Sequence, residues 1–234
     1  MTHQEILAAI ESRHSVRQYI DKPLSDEVIA LLQQRIAELN AESGLHIQLV
    51  TNEPQAYSNG WAKYGKFTGC SNYFVIAGKS EQADLAMCAG YYGEQLVLYA
   101  QHLGLNTCWT ALTHGTIPNT FTLCDDEKVV IYIALGYGAT QGVQHPQKKK
   151  DTDLSNILPG EDNWFAKGVR AAMLAPRPVS VCKRPSTGRF RRRGVPVSFQ
   201  VPSCTASSAN RKRQAAPQSR TSITGFRWWI SSRA

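Results

Sequence analysis

The stretch 83–110, ADLAMCAGYYGEQLVLYAQHLGLNTCWT, carries the strongest structural signal in the sequence. Apolar residues recur every three or four positions, which is the period of one helix face, and Gly104 stands where a helix is expected to end. A short β-strand is expected next, over 107–112. The stretch therefore predicts a long, largely buried helix followed by a strand. The recurring apolar positions are Leu85, Ala89, Tyr92, Leu96, Tyr99 and Leu103.

Two glycines, Gly90 and Gly93, lie inside this predicted helix. Each costs the helix about 1 kcal/mol relative to alanine, a cost usually accepted where another group must come close to the helix backbone. Two explanations stay open: a flat ligand or another backbone approaches there, or a second helix packs there.

The remaining elements before residue 177 are three more helices and three more strands, in an order without the regular alternation of a doubly wound sheet. Residues 52–71 are expected to form a long loop. The predicted fold class is therefore α+β, a layered fold with a central sheet flanked by helices. The other helices are expected over 3–13, from the Ser25 cap to Gly44, and over 164–174, and the other strands over 45–49, 72–77 and 129–135.

The charge of the chain is unevenly distributed. The formal net charge of the whole sequence is +8. Residues 1–176 hold 13 Lys+Arg and all 18 Asp+Glu, a net charge of −5, whereas residues 177–234 hold 13 Lys+Arg and no acid. Two compositional regimes thus meet near Pro176, and the basic excess belongs to the second of them.

The basic tail, 177–234, shows no sustained period of 2 or 3.6 residues and is expected to be poorly ordered. One hypothesis makes it a nucleic-acid-binding arm, through the basic runs RFRRRG (189–194) and NRKRQ (210–214). The aromatic residues gather at the far end of the tail rather than between these runs, so we expect no nucleic-acid partner.

Several classes of protein are disfavoured by the sequence. The longest apolar run, 129–135, is strand-sized, so we expect no membrane span and no membrane partner. The start carries Glu5 and Glu11 where a signal peptide has a basic residue and an apolar stretch, which favours a cytoplasmic protein. The cysteines show no CxxC pair and no zinc spacing, so no metal site is expected.

Two further patterns were considered as sites of chemistry. Gly136, Gly138 and Gly142 follow a predicted strand, but their spacing is GxGxxxG and no helix start follows, so we reject a dinucleotide fingerprint. Cys108 lies between His102 and His114 in sequence, but nothing fixes their geometry, so no catalytic side chain is assigned.

Three features remain as candidates for binding an anion and a planar ring. Arg13-His14-Ser15-Val16-Arg17 places two guanidinium groups and a hydroxyl within five residues, which suits a phosphate. The run Lys148-Lys149-Lys150 is a second anion anchor. Residues 103–110, with Trp109 and Thr110 at their end, offer a floor for a planar ring. A solvated helix end, a solvated charge run and ordinary core are the plain alternatives.

Together these features resemble the FMN-dependent nitroreductase family, in which an R-[RH]-S-x-[RK] segment follows the first helix. The matching segment here runs from Arg13 to Arg17, and a Tyr19-x-x-x-Pro23-x-Ser25 run follows it. The resemblance implies that NAD(P)H passes a hydride to FMN and that a nitroaromatic or quinone-like acceptor then takes the electrons. The residues it assigns to FMN are Arg13, His14, Ser15, Arg17, Trp109, Thr110, Lys148 and Lys150.

In this resemblance each group of residues has its own role. Arg13 and Ser15 would hold the phosphate, Arg17 would lie towards the ribityl chain and the pyrimidine edge, and backbone groups near Trp109 and Thr110 would meet the redox edge of the ring. Ordinary family members form the site at a homodimer interface. An FMN-binding protein without turnover is an alternative of a different class.

A two-half nitroreductase subgroup resembles the chain more closely, through Tyr64-Gly65-x-Phe67 and the start of a second half at 164–176. That pattern is lost after Pro176, where the acids also disappear. We therefore hypothesise that 177–234 is a frameshift product or an otherwise foreign tail, which the coding DNA would test. The expected division is an FMN-binding region over 1–162, the start of a second half over 163–176 and the basic tail over 177–234.

Overall fold

The computed structural model describes residues 1–58, 60, 62, 65–111, 113–143, 160 and 162–176. All four predicted helices and all four predicted strands are present in it. The helices are α1 (His3–Ser12), α2 (Asp26–Ser43), α3 (Leu85–His102) and α4 (Trp164–Leu174), and the strands are β1 (His46–Val50), β2 (Asn72–Lys79), β3 (Asn106–Thr110) and β4 (Glu127–Gly136).

The helix starts follow from local capping. The Thr2 hydroxyl accepts a hydrogen bond from the Glu5 amide, and the Glu5 side chain accepts one from the Thr2 amide, so α1 begins with a capping box. Ser25 caps α2 in the same way through the Val28 amide. Gly44 ends α2 with φ of 70°, a left-handed conformation that glycine adopts without strain. These ends are set by short-range chemistry that the sequence displays.

The four strands form one antiparallel sheet in the order β1-β2-β4-β3. Strand β2 is central and buried along nearly its whole length, as its apolar run predicts. In the described part of 52–71, which the sequence predicts to be a long loop, the chain forms a 3₁₀ turn at Gln55–Tyr57 and has helical residues at 60 and 62. Strand β3 lies at an edge of the sheet, so its outer side is open to pairing by another segment.

Each face of the sheet has its own apolar cluster. One face packs against α2 and α3, with Leu32, Leu39 and Leu96 fully buried there. The other face is covered by side chains from segments outside the four α-helices, among them Tyr19, Tyr57 and Phe67. The predicted α+β layered fold is confirmed.

Helix α1 departs in one detail from its amphipathic pattern. The pattern places Ile6 and Leu7 on its apolar face, but these side chains are 36% and 42% exposed, whereas Ala9 is buried. The cause is the packing of α1, which contacts α3 and α4 rather than the sheet. Only a narrow strip of α1 is therefore covered by described residues.

Candidate anion and flavin site

The segment after α1 runs along the open edge of β3. It is held by backbone hydrogen bonds to three parts of the chain that are distant in sequence, and Ser15 pairs with Thr107 as a short parallel bridge. The arginine-bearing segment is thus held beside the start of β3 at Ser15 and Val16. The three bonds run from Val16 N to Thr107 O (3.0 Å), from Tyr19 N to Thr68 O (2.9 Å) and from Ile20 N to Tyr137 O (2.9 Å).

The glycines after β4 allow this close arrangement. A Cβ atom on Gly142, whose φ is +78°, would lie 2.8 Å from the His14 Cβ atom. The Gly138 amide donates a hydrogen bond of 3.0 Å to the Asn106 side chain. The glycine pattern that was rejected as a dinucleotide fingerprint therefore lets the chain after β4 pack against the arginine-bearing segment.

Arg13 lies at the C-terminal end of α1 and is 6% exposed. Its Nε atom lies 3.4 Å from Glu94 Oε1 on α3, and its Nη2 atom donates a hydrogen bond of 3.1 Å to the Leu174 carbonyl at the end of α4. The third nitrogen, Nη1, is buried and has no hydrogen-bond partner among the described residues. The guanidinium is thus held on two sides and has an unused donor on the third.

Glu94 also accepts a hydrogen bond of 3.0 Å from the Trp109 indole, so Arg13, Glu94 and Trp109 form what we call the Arg13 cluster. Burial raises the pKa of Glu94 to about 7, against the lowering effects of the Arg13 charge and the Trp109 bond. The cluster therefore contains a carboxyl group that changes its charge near neutral pH.

At Gly93, the structure matches neither of the two explanations that the sequence left open for the helix glycines. A Cβ atom on Gly93 would lie 2.6 Å from Trp109 Cη2 and 2.7 Å from Ile76 Cδ1. Two side chains of the sheet therefore occupy the space beside Gly93, rather than a second helix or a flat ligand. The glycine allows α3 to lie close to β2 and β3.

Ser15 and Arg17 are half-buried on the side of the segment that faces Cys108. Burial raises the pKa of the Cys108 thiol, although the Arg17 charge and a hydrogen bond with Ser15 act in the opposite direction. The thiol therefore stays protonated at neutral pH and is a poor nucleophile.

Thr110 points to the opposite face of the sheet from Trp109. It is buried, its hydroxyl donates to the Tyr132 carbonyl at 3.1 Å, and it meets the Tyr57 hydroxyl at 3.0 Å. The side chains of Trp109 and Thr110 are thus engaged within the protein. The predicted contact with a flavin concerns the backbone at these residues and stays a prediction.

Close to Thr110 lies a group of four aromatic rings, His114, Tyr57, Tyr73 and Tyr132, which we call the His114 cluster. The His114 ring stacks on Tyr132 with centroids 3.7 Å apart, and Tyr57 and Tyr73 meet it edge-on. Both ring nitrogens are buried without a hydrogen-bond partner in the part of the chain that the structure describes. Burial lowers the pKa of His114 to about 4.

Six of the eight predicted site residues lie on β3 or on the segment that pairs with it through Ser15 and Thr107, and their roles towards a flavin stay predictions: Arg13, His14, Ser15, Arg17, Trp109 and Thr110. Lys148 and Lys150 lie outside the described residues, as does the basic tail. Sequence reasoning missed Glu94 and the Leu174 carbonyl. Glu94 had a signal, since it is the one acidic residue of α3, whereas nothing in the sequence marks a particular carbonyl.

The described residues contain neither a candidate metal site nor a candidate membrane-spanning helix. No group of three or more His, Cys, Asp or Glu residues within the described ranges is placed to hold a metal ion. None of the helices seen there is long and apolar enough to cross a membrane.

An antiparallel sheet with an arginine-bearing segment along its edge strand places the protein in the class of nitroreductase-like α+β folds. The sequence model of the family described as "Putative TM nitroreductase" matches residues 5–181, and the chain belongs to this family. The match ends a few residues beyond the change of composition at Pro176. No curated protein matches the chain.

Solved structures share the fold at low sequence identity. A nitroreductase-like protein from Streptococcus mutans has a TM-score of 0.54 at 14% identity, covering 66% of this chain and 98% of that one. Nitroreductase A from Vibrio parahaemolyticus has a TM-score of 0.51 at 13% identity, covering 72% and 82%. A "putative nitroreductase in complex with fmn" from Desulfovibrio desulfuricans has a TM-score of 0.50 at 19% identity, covering 68% and 100%.

Proposed function

We propose that the protein is an FMN-dependent oxidoreductase that takes a hydride from NAD(P)H and reduces a nitroaromatic or quinone-like acceptor. The observation that supports this best is the Arg13–Arg17 segment, which the fold holds beside β3 with one buried guanidinium nitrogen unpartnered among the described residues. Membership of a nitroreductase family agrees with it.

The residues of the segment fit a phosphate group. A buried donor without an acceptor costs about 1–3 kcal/mol, and a charge-assisted hydrogen bond from Arg13 Nη1 to a phosphate oxygen would remove this cost. The Ser15 hydroxyl and the Arg17 guanidinium are half-buried a few residues further on, where they remain accessible to a ligand. One extended segment therefore offers two cations and a hydroxyl to one anion.

Each residue then has a distinct task. Arg13 and Ser15 bind the phosphate, with His14 between them, while Arg17 lies towards the ribityl chain and the pyrimidine edge. A cation at that edge stabilises negative charge on the ring. Backbone groups of Trp109 and Thr110 orient the redox edge, while the side chains of these residues bond to Glu94 and to the Tyr132 carbonyl within the protein.

When bound, FMN would supply the redox chemistry: it would accept a hydride, which carries two electrons and one proton, from NAD(P)H, and would pass the two electrons to the acceptor together with that proton and a second one from solvent. Cys108 does not serve as a nucleophile, because burial raises its pKa. The chain itself binds the flavin, orients its ring and shields it from water. Small-molecule acceptors are the proposed partners, and kinetics of the ping-pong type are expected.

The test begins with the visible spectrum of the full chain after incubation with FMN and removal of free flavin. Replacing Ser15 and Arg17 by alanine should weaken FMN binding about tenfold or more for each lost contact to the phosphate or ring. The Arg35→Ala variant is a matched control, since Arg35 is a half-exposed arginine that pairs with Glu38 on α2. It should bind FMN like the wild type.

Four outcomes would contradict the proposal. A folded wild-type protein that binds no FMN overturns it, and binding unaffected by changes at Ser15 and Arg17 places the flavin elsewhere. FMN binding without NAD(P)H consumption in the presence of a quinone or nitroaromatic favours a flavin-binding protein without turnover. Colourless protein whose DNA affinity falls steeply with salt would favour the nucleic-acid hypothesis.

A further inference from the structure

Glu94 has an unusual position for a carboxylate. It is the one acidic residue of α3, and it lies between the Arg13 guanidinium of α1 and the Trp109 indole of β3. Both of its oxygens are used: Oε1 lies 3.4 Å from Arg13 Nε, and Oε2 accepts from Trp109 Nε1 at 3.0 Å. Any ligand anion that reaches Arg13 therefore arrives next to this carboxylate.

Among the described residues, the charged side chains of α2 and α4 named below bond to groups other than Glu94. From α2, Arg35 bonds to Gln95 and Glu42 accepts from Tyr92, so these two charges face other residues of α3. From α4, Lys167 and Arg170 both pair with Asp162. Within the described ranges, Arg13 is the one charged group that acts on the Glu94 carboxyl, so the charge of Glu94 affects how much of the Arg13 charge is left for a ligand.

The three side-chain nitrogens of Arg13 have different surroundings. Nε faces Glu94 and Nη2 donates to the Leu174 carbonyl, which fixes the plane of the group. Nη1 is the donor without a partner in the described part of the chain. An anion bound there would share one cation with Glu94, and two anions on one cation repel each other.

We propose that Glu94 is a proton-dependent competitor for Arg13: ionised, it holds the guanidinium and weakens phosphate binding, and protonated, it leaves the full Arg13 charge to the phosphate. This inference rests on the proposed function, since it takes the phosphate of FMN as the anion. It makes Glu94 a positioning residue, because Glu94 acts through Arg13 and has no proposed contact with the flavin.

The direction of the pH effect follows from the charge states. Burial raises the pKa of Glu94 to about 7, so the carboxyl group is largely neutral at pH 6 and largely ionised at pH 8. Phosphate binding at Arg13 is therefore stronger at the lower pH. By linkage, the bound phosphate raises the pKa of Glu94 further, and binding at neutral pH takes up a proton at this residue.

The experiment is an FMN titration of the full-length protein at pH 6, 7 and 8, comparing the wild type with Glu94→Gln. The glutamine keeps an oxygen for the Trp109 indole but carries no charge. The ratio of the wild-type Kd to the variant Kd should be close to one at pH 6 and rise on the order of tenfold by pH 8. The phosphate of free FMN also titrates in this range, but it does so equally in both titrations and cancels in the ratio, which leaves the coupling between Glu94 and the bound phosphate.

Two controls separate the phosphate effect from a general structural one. Riboflavin lacks the phosphate, so its ratio should stay flat across the pH range. The Glu42→Gln variant removes another carboxylate that bonds to α3, and it should behave like the wild type. If Glu94→Gln fails to fold, carbon-13 NMR of labelled glutamate carboxyl groups in the wild type replaces it, and FMN should shift one resonance towards the protonated form at pH 7.

The outcomes distinguish this inference from the proposed function. FMN binding with parallel pH profiles for the wild type and Glu94→Gln overturns the role of Glu94 and leaves the flavin assignment standing. A pH-dependent ratio for riboflavin as well as FMN also overturns it, because the phosphate is then not the group that Glu94 repels. A folded wild type that binds no FMN overturns both.

Discussion

The Arg13 cluster and the His114 cluster handle a buried titratable side chain in opposite ways. Each contains buried nitrogens without hydrogen-bond partners among the described residues. The Arg13 guanidinium lies 3.4 Å from the Glu94 carboxyl group and donates a hydrogen bond to the Leu174 carbonyl. His114 is surrounded by Tyr57, Tyr73 and Tyr132, and burial lowers its pKa to about 4, so it is neutral at pH 7.

The difference shows what a buried charge needs. A cation persists inside a protein where acceptors and an opposite charge are supplied, and a group without them gives up its proton instead. The unpartnered nitrogen of Arg13 therefore belongs to a cation and can attract an anion, whereas those of His114 belong to a neutral ring. This is why we place the anion site at the first cluster and not the second.

The largest expected effect comes from Arg13→Ala, which leaves Glu94 partly buried without its counter-charge. The free energy of unfolding should fall by roughly 3 kcal/mol at pH 8, since breaking a buried pair costs more than the pair itself contributes. The loss should be smaller at pH 6, where Glu94 is neutral. Urea unfolding at both pH values measures it, and equal losses would show that Glu94 is not the group left uncompensated.

His114→Phe tests the other cluster. The folded-state pKa of about 4 lies below the ordinary value of 6.5, so His114 contributes full stability above pH 6.5. That contribution is lost progressively as the pH falls towards 4, because the unfolded chain takes up a proton first. The variant should lose less stability than the wild type between pH 7.5 and 4.5 in urea unfolding.

If the wild type and the His114→Phe variant lose the same stability between pH 7.5 and 4.5, the histidine ring can ionise inside the cluster. The matched control is His46→Phe, since His46 pairs with Glu127 at 2.8 Å and so has the acceptor that His114 lacks. Its replacement removes a histidine without touching the His114 cluster, so a change of the pH dependence that both variants share is not specific to His114.

Gly93→Ala tests how tightly the Arg13 cluster is packed. The added methyl group would lie 2.6 Å from the Trp109 ring, and this overpacking should outweigh the gain in helix propensity of about 1 kcal/mol. We expect a net loss of about 1–2 kcal/mol and a changed near-ultraviolet circular dichroism signal from Trp109. Gly168→Ala on α4, where a Cβ atom meets nothing within 4 Å, is the control and should be neutral or stabilising.

The smallest effect is expected from Tyr57→Phe, which removes a hydroxyl 3.0 Å from Thr110 Oγ1. Thr110 keeps its bond to the Tyr132 carbonyl, so the loss should be about 1 kcal/mol or less in thermal or urea unfolding. A loss of several kcal/mol would mean that the His114 cluster depends on hydrogen bonds more than on ring packing.

The sequence predicts the elements of this fold well because their signals are local. The capping box at Thr2 and Glu5, the serine cap of α2, and the apolar periods of α3 and β2 all act over a few residues. The buried face of α1 is predicted less well, because Ile6 and Leu7 lie where no described element covers them.

The candidate site is predictable only in part. The clustering of two arginines and a serine is visible in the residues themselves, and the fold keeps them beside β3. The pairing of Arg13 with Glu94 depends on how α1 lies on α3, and the bond to Leu174 depends on where α4 ends. Neither arrangement is encoded in any short stretch. The division of the chain into three regions stays a prediction.

The path of residues 13–20 between distant parts of the chain has a consequence for the order of folding. This segment leaves the ribosome early, but its backbone partners are Thr68, Thr107 and Tyr137, which are synthesised much later. Contacts of such long sequence separation form slowly and after local structure. The arginine-bearing segment is therefore a late-folding element despite its early synthesis, and its amide protons should become protected from exchange only after β4 has joined the sheet.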